Sequence, residues 1–289
     1  MMENSNARLT FLGSGTSQGV PMIGCGCRVC KSADSKDKRL RASVLVDYMG
    51  MRLLVDAGPD FRQQMLSEDV THLDAILLTH NHKDHTGGLD DIRAFNYHEH
   101  KAVHIWCEEY VEESLRQEYS YAFAQNKYPG APEWNVHRIG PEPFTLVSGG
   151  EEEIIEWHSG KGYEHTVKEI SPVRTASIIP IRGMHYKLPV LGFRFGNIAY
   201  CTDMNYIPEE EFLKLGNLDH FVINCVKRGP HISHFSLEEA VAVCRKVGAK
   251  HSWLTHLSHQ LPCHEDLRKE LSNITDCCIS PAWDGLVIE

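Results

Sequence analysis

The stretch Leu73-Asp-Ala-Ile-Leu-Leu-Thr79, followed directly by His80-Asn-His82-Lys-Asp84-His85 and then by Gly87-Gly88, decides the reading of this chain. The apolar run has the length and bounds of a buried strand. Its C-terminal end delivers four ligand-type side chains within six positions. In an extended or irregular loop, His80, His82 and Asp84 at alternate positions can point to one side, while His85 projects on a different vector. That arrangement suits two adjacent metals. Imidazole and carboxylate ligands fit Zn²⁺, Mn²⁺ or Fe²⁺, and ligand softness does not choose among them. A histidine-rich loop is otherwise solvated surface, and His98, His100 and His158 read that way. A run held between a buried strand and a glycine pair, with a helix after it, reads as a metal site.

Outward from this run the chain alternates strands and turns. Leu9-Thr-Phe-Leu12 is a short apolar strand entering the loop Gly13-Ser-Gly-Thr-Ser-Gln-Gly19. Ser43-Val-Leu-Val-Asp-Tyr48 and Arg52-Leu-Leu-Val-Asp-Ala57, with a turn at Gly50, form a hairpin. Downstream come Ser177-Ile-Ile-Pro-Ile181, then Leu191-Gly-Phe-Arg-Phe195 and Ile198-Ala-Tyr-Cys201 around the two-residue turn Gly196-Asn197. Phe221-Val-Ile-Asn-Cys-Val226 is a further strand. Ser236-Leu-Glu-Glu239 has capping-box spacing at the start of a helix that Gly248 ends. His251-Ser-Trp-Leu-Thr255 then presents His256. The segment at about 96–175 shows a helix between Glu108 and Ala124 and then Pro/Gly punctuation; it reads as an elaboration of a single domain spanning 1–289, with a lid over a pocket as its expected role.

The length of 289 residues suits one large α/β enzyme domain. Lys and Arg number 29 against 39 Asp and Glu, a net charge of −10, with no basic block to track a phosphate backbone. A dedicated nucleic-acid binder is disfavoured; a small anionic substrate is not, because bound divalent ions can override the overall sign. The N-terminus lacks a secretory signal and no apolar run is long enough to span a bilayer, so a cytoplasmic protein without a membrane partner is expected. A homodimer is compatible with the composition. Of ten cysteines, only Cys25, Cys27 and Cys30 cluster. In a cytosolic chain such a cluster reads as metal binding before crosslinking.

His-x-His-x-Asp-His after an apolar strand resembles the metallo-β-lactamase superfamily. The resemblance implies an α/β (α+β) fold, a four-layer αββα sandwich, with a metal site built from loops in separate parts of the sequence. It implies a third histidine after a mid-chain strand, which His185 fits; His165 is the competitor in a poorly patterned segment, and strand context favours His185. The bridging aspartate matches Asp203, and the last histidine matches His256. His80, His82 and His185 would hold one metal, Asp84, His85 and His256 the other, with Asp203 between them. Asp56 reads either as a partner for a ligand histidine or as a polar strand cap.

Gly13-Ser-Gly-Thr-Ser-Gln-Gly-Val-Pro21, followed by Cys25, Cys27 and Cys30, is similar to the cyclic phosphodiesterases of the carbon-phosphorus lyase pathway. That narrower resemblance implies a structural zinc held by the three cysteines and His259, with Cys263 a rival fourth ligand. It also implies a general acid before the late helix, His234, with His231 left open. The expected chemistry is metal-assisted hydrolysis of a small, cyclic phosphodiester, with two active-site Zn²⁺ or Mn²⁺ ions, Asp84 and Asp203 positioning the water, and His234 protonating the leaving oxygen. Two alternatives share the superfamily pattern: a tRNA 3′-end processing endonuclease, and a cofactor-biosynthesis protein acting as an oxygenase or accessory.

Overall fold

The computed structural model describes residues 7–128, 130–158 and 162–289, without the side chains of 157, 158, 162 and 163. The first six residues, the side chain of His158 and the Gly160-Lys161 pair therefore lie outside the described residues. Fourteen described strands form two seven-stranded sheets. The first sheet contains β1 (Arg8–Gly13), β2 (Ser43–Tyr48), β3 (Met51–Val55), β4 (Ala75–Leu77), β5 (Val103–Cys107), β6 (Trp134–Arg138) and β14 (Val287–Ile288), in the order β14-β1-β2-β3-β4-β5-β6. The second contains β7 (Phe144–His158), β8 (Gly162–His185), β9 (Leu188–Phe195), β10 (Ile198–Cys201), β11 (His220–Asn224), β12 (His251–Thr255) and β13 (Ile279–Pro281), in the order β13-β12-β11-β10-β9-β8-β7.

Strand periodicity explains the layering. Val44, Val46, Leu53 and Val55 point inward with Phe11, and meet Leu191, Phe193, Tyr200 and Val222 of the second sheet in one buried cluster. The alternate residues Leu45, Leu54 and Ile76 face outward, under α1 (Phe61–Ser67), α3 (Arg93–Glu99) and α4 (Glu109–Glu118). On the other side Ala199, Phe221, Ile223 and Leu254 meet α5 (Leu237–Val247) and α6 (His264–Leu271). Strands buried on both faces read as continuous apolar runs rather than alternations. The result is the expected four-layer α/β/β/α sandwich.

Several local expectations hold to within a residue or two. The capping box of Ser236 and Glu239 is made, and Gly248 closes α5 with φ 65°. The segment at about 96–175 is a correction: β5 and β6 extend the first sheet, and β7 and β8 pair as a long antiparallel hairpin at the edge of the second. It is structural framework for both sheets, with only the distal part of the hairpin standing clear.

Candidate metal centres

Five chain segments converge where strands end. Asp56 follows β3, His80 follows β4, Asp203 follows β10 and His256 follows β12, all at carboxyl ends, where open sheets place their ligand sites. His185 is the last residue of β8, and Asp84 and His85 lie on the single turn α2 (Lys83–Thr86). Asp56, Asp203 and His256 all adopt positive φ, at 65°, 57° and 55°. Such backbone costs on the order of 1–3 kcal/mol per residue and persists where the surroundings over-determine it. Gly58 makes the close packing feasible, since a Cβ there would lie 2.0 Å from the Asp84 carbonyl oxygen.

The ligand-type atoms of His80, His82 and His185 lie within 4.8 Å of one another, and so do those of Asp84, His85, Asp203 and His256. His80, His85, Asp203 and His256 are buried, while His82 opens to solvent. Hydrogen bonds aim the rings. Thr79 Oγ donates to Asp56 Oδ2 at 2.9 Å, so it accepts from His80 Nδ1 at 2.9 Å, leaving His80 Nε2 toward the cluster. His85 Nδ1 donates to Asp56 Oδ2 at 2.6 Å, and His185 Nδ1 donates to the Ser233 carbonyl at 2.8 Å. Asp56 therefore holds the His85 ring rather than capping its strand. Asn224 pins the loop after Asp203, accepting from Met204 N at 2.8 Å and donating to Met204 O at 2.9 Å.

Donor chemistry fits divalent ions. His80 Nε2 and His256 Nδ1 are buried without hydrogen-bond partners, while His85 Nε2 and His256 Nε2 face only the cluster's carboxylates, at 3.2 and 3.1 Å from Asp203. Each would cost about 1–3 kcal/mol if left unmet. Burial opposes charge on Asp203, yet the His256 and His85 imidazoles outweigh it and hold its carboxyl well below the usual range. Asp84 is held low by His85 against burial. Against the same burial, Asp203 raises both His85 and His256, the latter to about 9.

His234 sits over this cluster, its ring 4.6 Å from that of His185 and 4.7 Å from that of His256, with Nδ1 3.6 Å from Asp203 Oδ1. With His185 and Asp203 it forms a third group of ligand-type atoms within 4.8 Å. Burial, and then His256, push its pKa down to about 3. His231 lies one ring further out, 5.0 Å from His234, and joins no cluster of ligand-type groups among the described residues. His165 is far from the centre in use: it pairs with Glu153 at 2.9 Å on the exposed hairpin.

A separate group brings Cys25, Cys27, Cys30 and His259 within 4.8 Å, the His259 Nδ1 lying 3.3 Å from Cys25 Sγ and 3.5 Å from Cys27 Sγ. Cys263 packs nearby but is not one of the four. The Cys30 backbone N–H, then His259, lower the Cys27 thiol to about 6, the thiolate form that metals bind. Thr79, Ser233, Asn224 and Gly58 escaped the sequence reading; only Thr79, adjacent to His80, carried a visible signal.

Residues 51–257 match the β-lactamase superfamily domain family. The chain is 39% identical over 282 residues to an octanoyltransferase of Porphyromonas gingivalis, a match covering 96% of this chain; the chain spans about half, 51%, of that relative's length. Among solved structures it is similar to a diphosphatase from the PhnP family, with TM-score 0.79, 35% identity and 98% of both chains covered. It shares its fold with zinc-bound PqqB from Methylobacterium extorquens, at TM-score 0.67 and 18% identity over 98% and 99% of the two chains. Fold, clustered ligand-type residues and these likenesses agree that the chain belongs to the metallo-β-lactamase superfamily, within which it resembles the PhnP family.

Proposed function

We propose that this chain is a metal-dependent hydrolase of small phosphodiesters, cyclic ones included. The observation that carries the proposal is the buried carboxylate of Asp203 beside the half-buried one of Asp84, ringed by buried histidine nitrogens that face only these carboxylates or no partner. His80, His82 and His185 would hold one divalent ion, Asp84, His85 and His256 the other, with Asp203 shared. When bound, Zn²⁺ or Mn²⁺ ions supply Lewis acidity that makes water a nucleophile near neutral pH and offsets phosphoryl charge. Asp84 and Asp203 orient the attacking water from the floor of the site. His234, at the rim beside Asp203, would be the group that protonates the departing alcohol oxygen: burial and His256 keep its ring neutral in the free site, and the negative charge of a phosphodiester beside it would favour its taking up the proton it then delivers. Cys25, Cys27, Cys30 and His259 would hold a structural zinc.

A diphosphate ester is the second reading, favoured by the 35% identity to a PhnP-family diphosphatase. A pre-tRNA substrate fits poorly with a net charge of −10. The octanoyl transfer named for the Porphyromonas relative is not carried over, since this chain spans half of that protein. The test is turnover of a nitrophenyl phosphodiester, a 2′,3′-cyclic nucleotide, a ribose cyclic phosphate, a nucleoside diphosphate ester and pre-tRNA by protein loaded with Zn²⁺ or Mn²⁺. Hydrolysis of the small diesters is expected. Cleavage of pre-tRNA alone, or oxygen consumption without hydrolysis, would overturn the reading.

A further inference from the structure

At the opposite end of β12 from His256, the parallel register sets Ser252 against Ile279, which places His251 beside Cys278 and Trp253 beside Ser280. All four side chains share one face. The His251 ring stacks on Trp253 at 4.0 Å and 5° between planes. Its Nδ1 lies 3.3 Å from Cys278 Sγ and its Nε2 lies 3.1 Å from Ser280 Oγ. A thiol, a base in reach of it and a third group orienting that base make the arrangement that activates a nucleophile. Cys278 is exposed, in a surface groove of about 600 Å³ that Lys250, Arg268, Cys277 and Ser280 also line.

From this geometry we infer that Cys278 is a modification site, a histidine-activated thiol that takes a low-molecular-weight disulfide. With Nε2–H donating to Ser280, His251 Nδ1 accepts the Cys278 proton. The sulfur then attacks one sulfur of the disulfide: the Cys278 S–S bond forms, the original S–S bond breaks, and the departing thiolate takes the proton from His251. Lys250 and Arg268, paired with the half-buried carboxylates of Asp219 and Glu265, offer positive charge to a carboxylate on the incoming disulfide. The lowered thiol of Cys27 would be held, in metal-loaded protein, with Cys25, Cys30 and His259 on the ion of their cluster. Burial raises the thiols of Cys107, Cys201, Cys225 and Cys244, and also those of Cys263 and Cys277. Burial, and then His220, lower the pKa of His251.

The test is the rate of adduct formation at each cysteine when metal-loaded protein meets oxidised glutathione, read by peptide mass mapping, with melting temperature as the check on folding. Cys278 should be modified first, the leading adduct should vanish in Cys278→Ser, and His251→Gln should slow it by about tenfold. If His251→Gln does not fold, Ser280→Ala decides, with about a threefold slowing expected. Reaction at Cys278 no faster than at Cys277, or an unchanged rate in the folded variant, overturns the inference.

Discussion

The two metal-competent clusters are built in opposite ways. The Cys25, Cys27, Cys30 and His259 group draws three ligands from six consecutive positions and stays half open to solvent, with only Cys30 buried. The histidine and aspartate group gathers residues from His80 to His256, buries most of them, and rests on a backbone held at positive φ in three places. A local thiol cluster needs little from the rest of the fold, and it suits a closed ion that ties the loop after β1 to the loop after β12. A buried mixed cluster needs both sheets in place before its ligands meet. On the proposed reading, chemistry belongs to the second and stability to the first.

That contrast can be broken most sharply at Asp203. If Asp203 is the carboxylate shared by both ions, as proposed, Asp203→Ala should lower phosphodiester turnover by about 10³-fold or more and empty the buried centre of metal. Gly58→Ala probes the frame beneath the site: a methyl 2.0 Å from the Asp84 carbonyl forces the loop to move, at a cost of about 3 kcal/mol by denaturant titration. Asp56→Asn keeps the shape and loses the charge that orients His85, and should weaken active-site metal affinity by about 10–100-fold in chelator competition. Cys27→Ser, in contrast, should lower the melting temperature by roughly several degrees, with turnover at 25 °C within about tenfold of wild type when metal is supplied.

The smallest effect lies away from both clusters. His72 is hydrogen-bonded to Asp74 and Glu99, which raise its pKa to about 9. A raised folded-state value contributes stability that is complete below the unfolded pKa of about 6.5 and is lost as pH climbs through about 9. The ring is partly exposed, so the contribution is about 1 kcal/mol or less. His72→Gln should flatten the decline in melting temperature across that pH window without touching metal content.

Much of this was legible because it is local. The run His80 to His85 carries its ligands in six positions, and β2, β3 and β11 announce themselves as apolar stretches bounded by turns. His185, Asp203 and His256 carry no local signature and became visible through family resemblance. The region at about 96–175 misled for physical reasons. β6 buries only Trp134 among its five residues, as an edge strand does, and so lacks a pattern. The distal part of the β7–β8 hairpin stands in solvent beyond the sandwich, with Gly149 and Gly150 at a register shift, so neither alternation nor continuous apolarity marks it. Supports such as Asn224 and the Ser233 carbonyl are hydrogen-bond partners whose roles exist only once distant strands are assembled.

The division between the clusters is tested most directly by the metal content of purified, reconstituted chains. Wild type should hold about three divalent ions per chain, Cys27→Ser combined with Cys30→Ser about two, and Asp203→Ala should lose ions only from the buried centre. Full occupancy in Asp203→Ala, or emptying of the buried centre when the cysteines are replaced, would contradict the account.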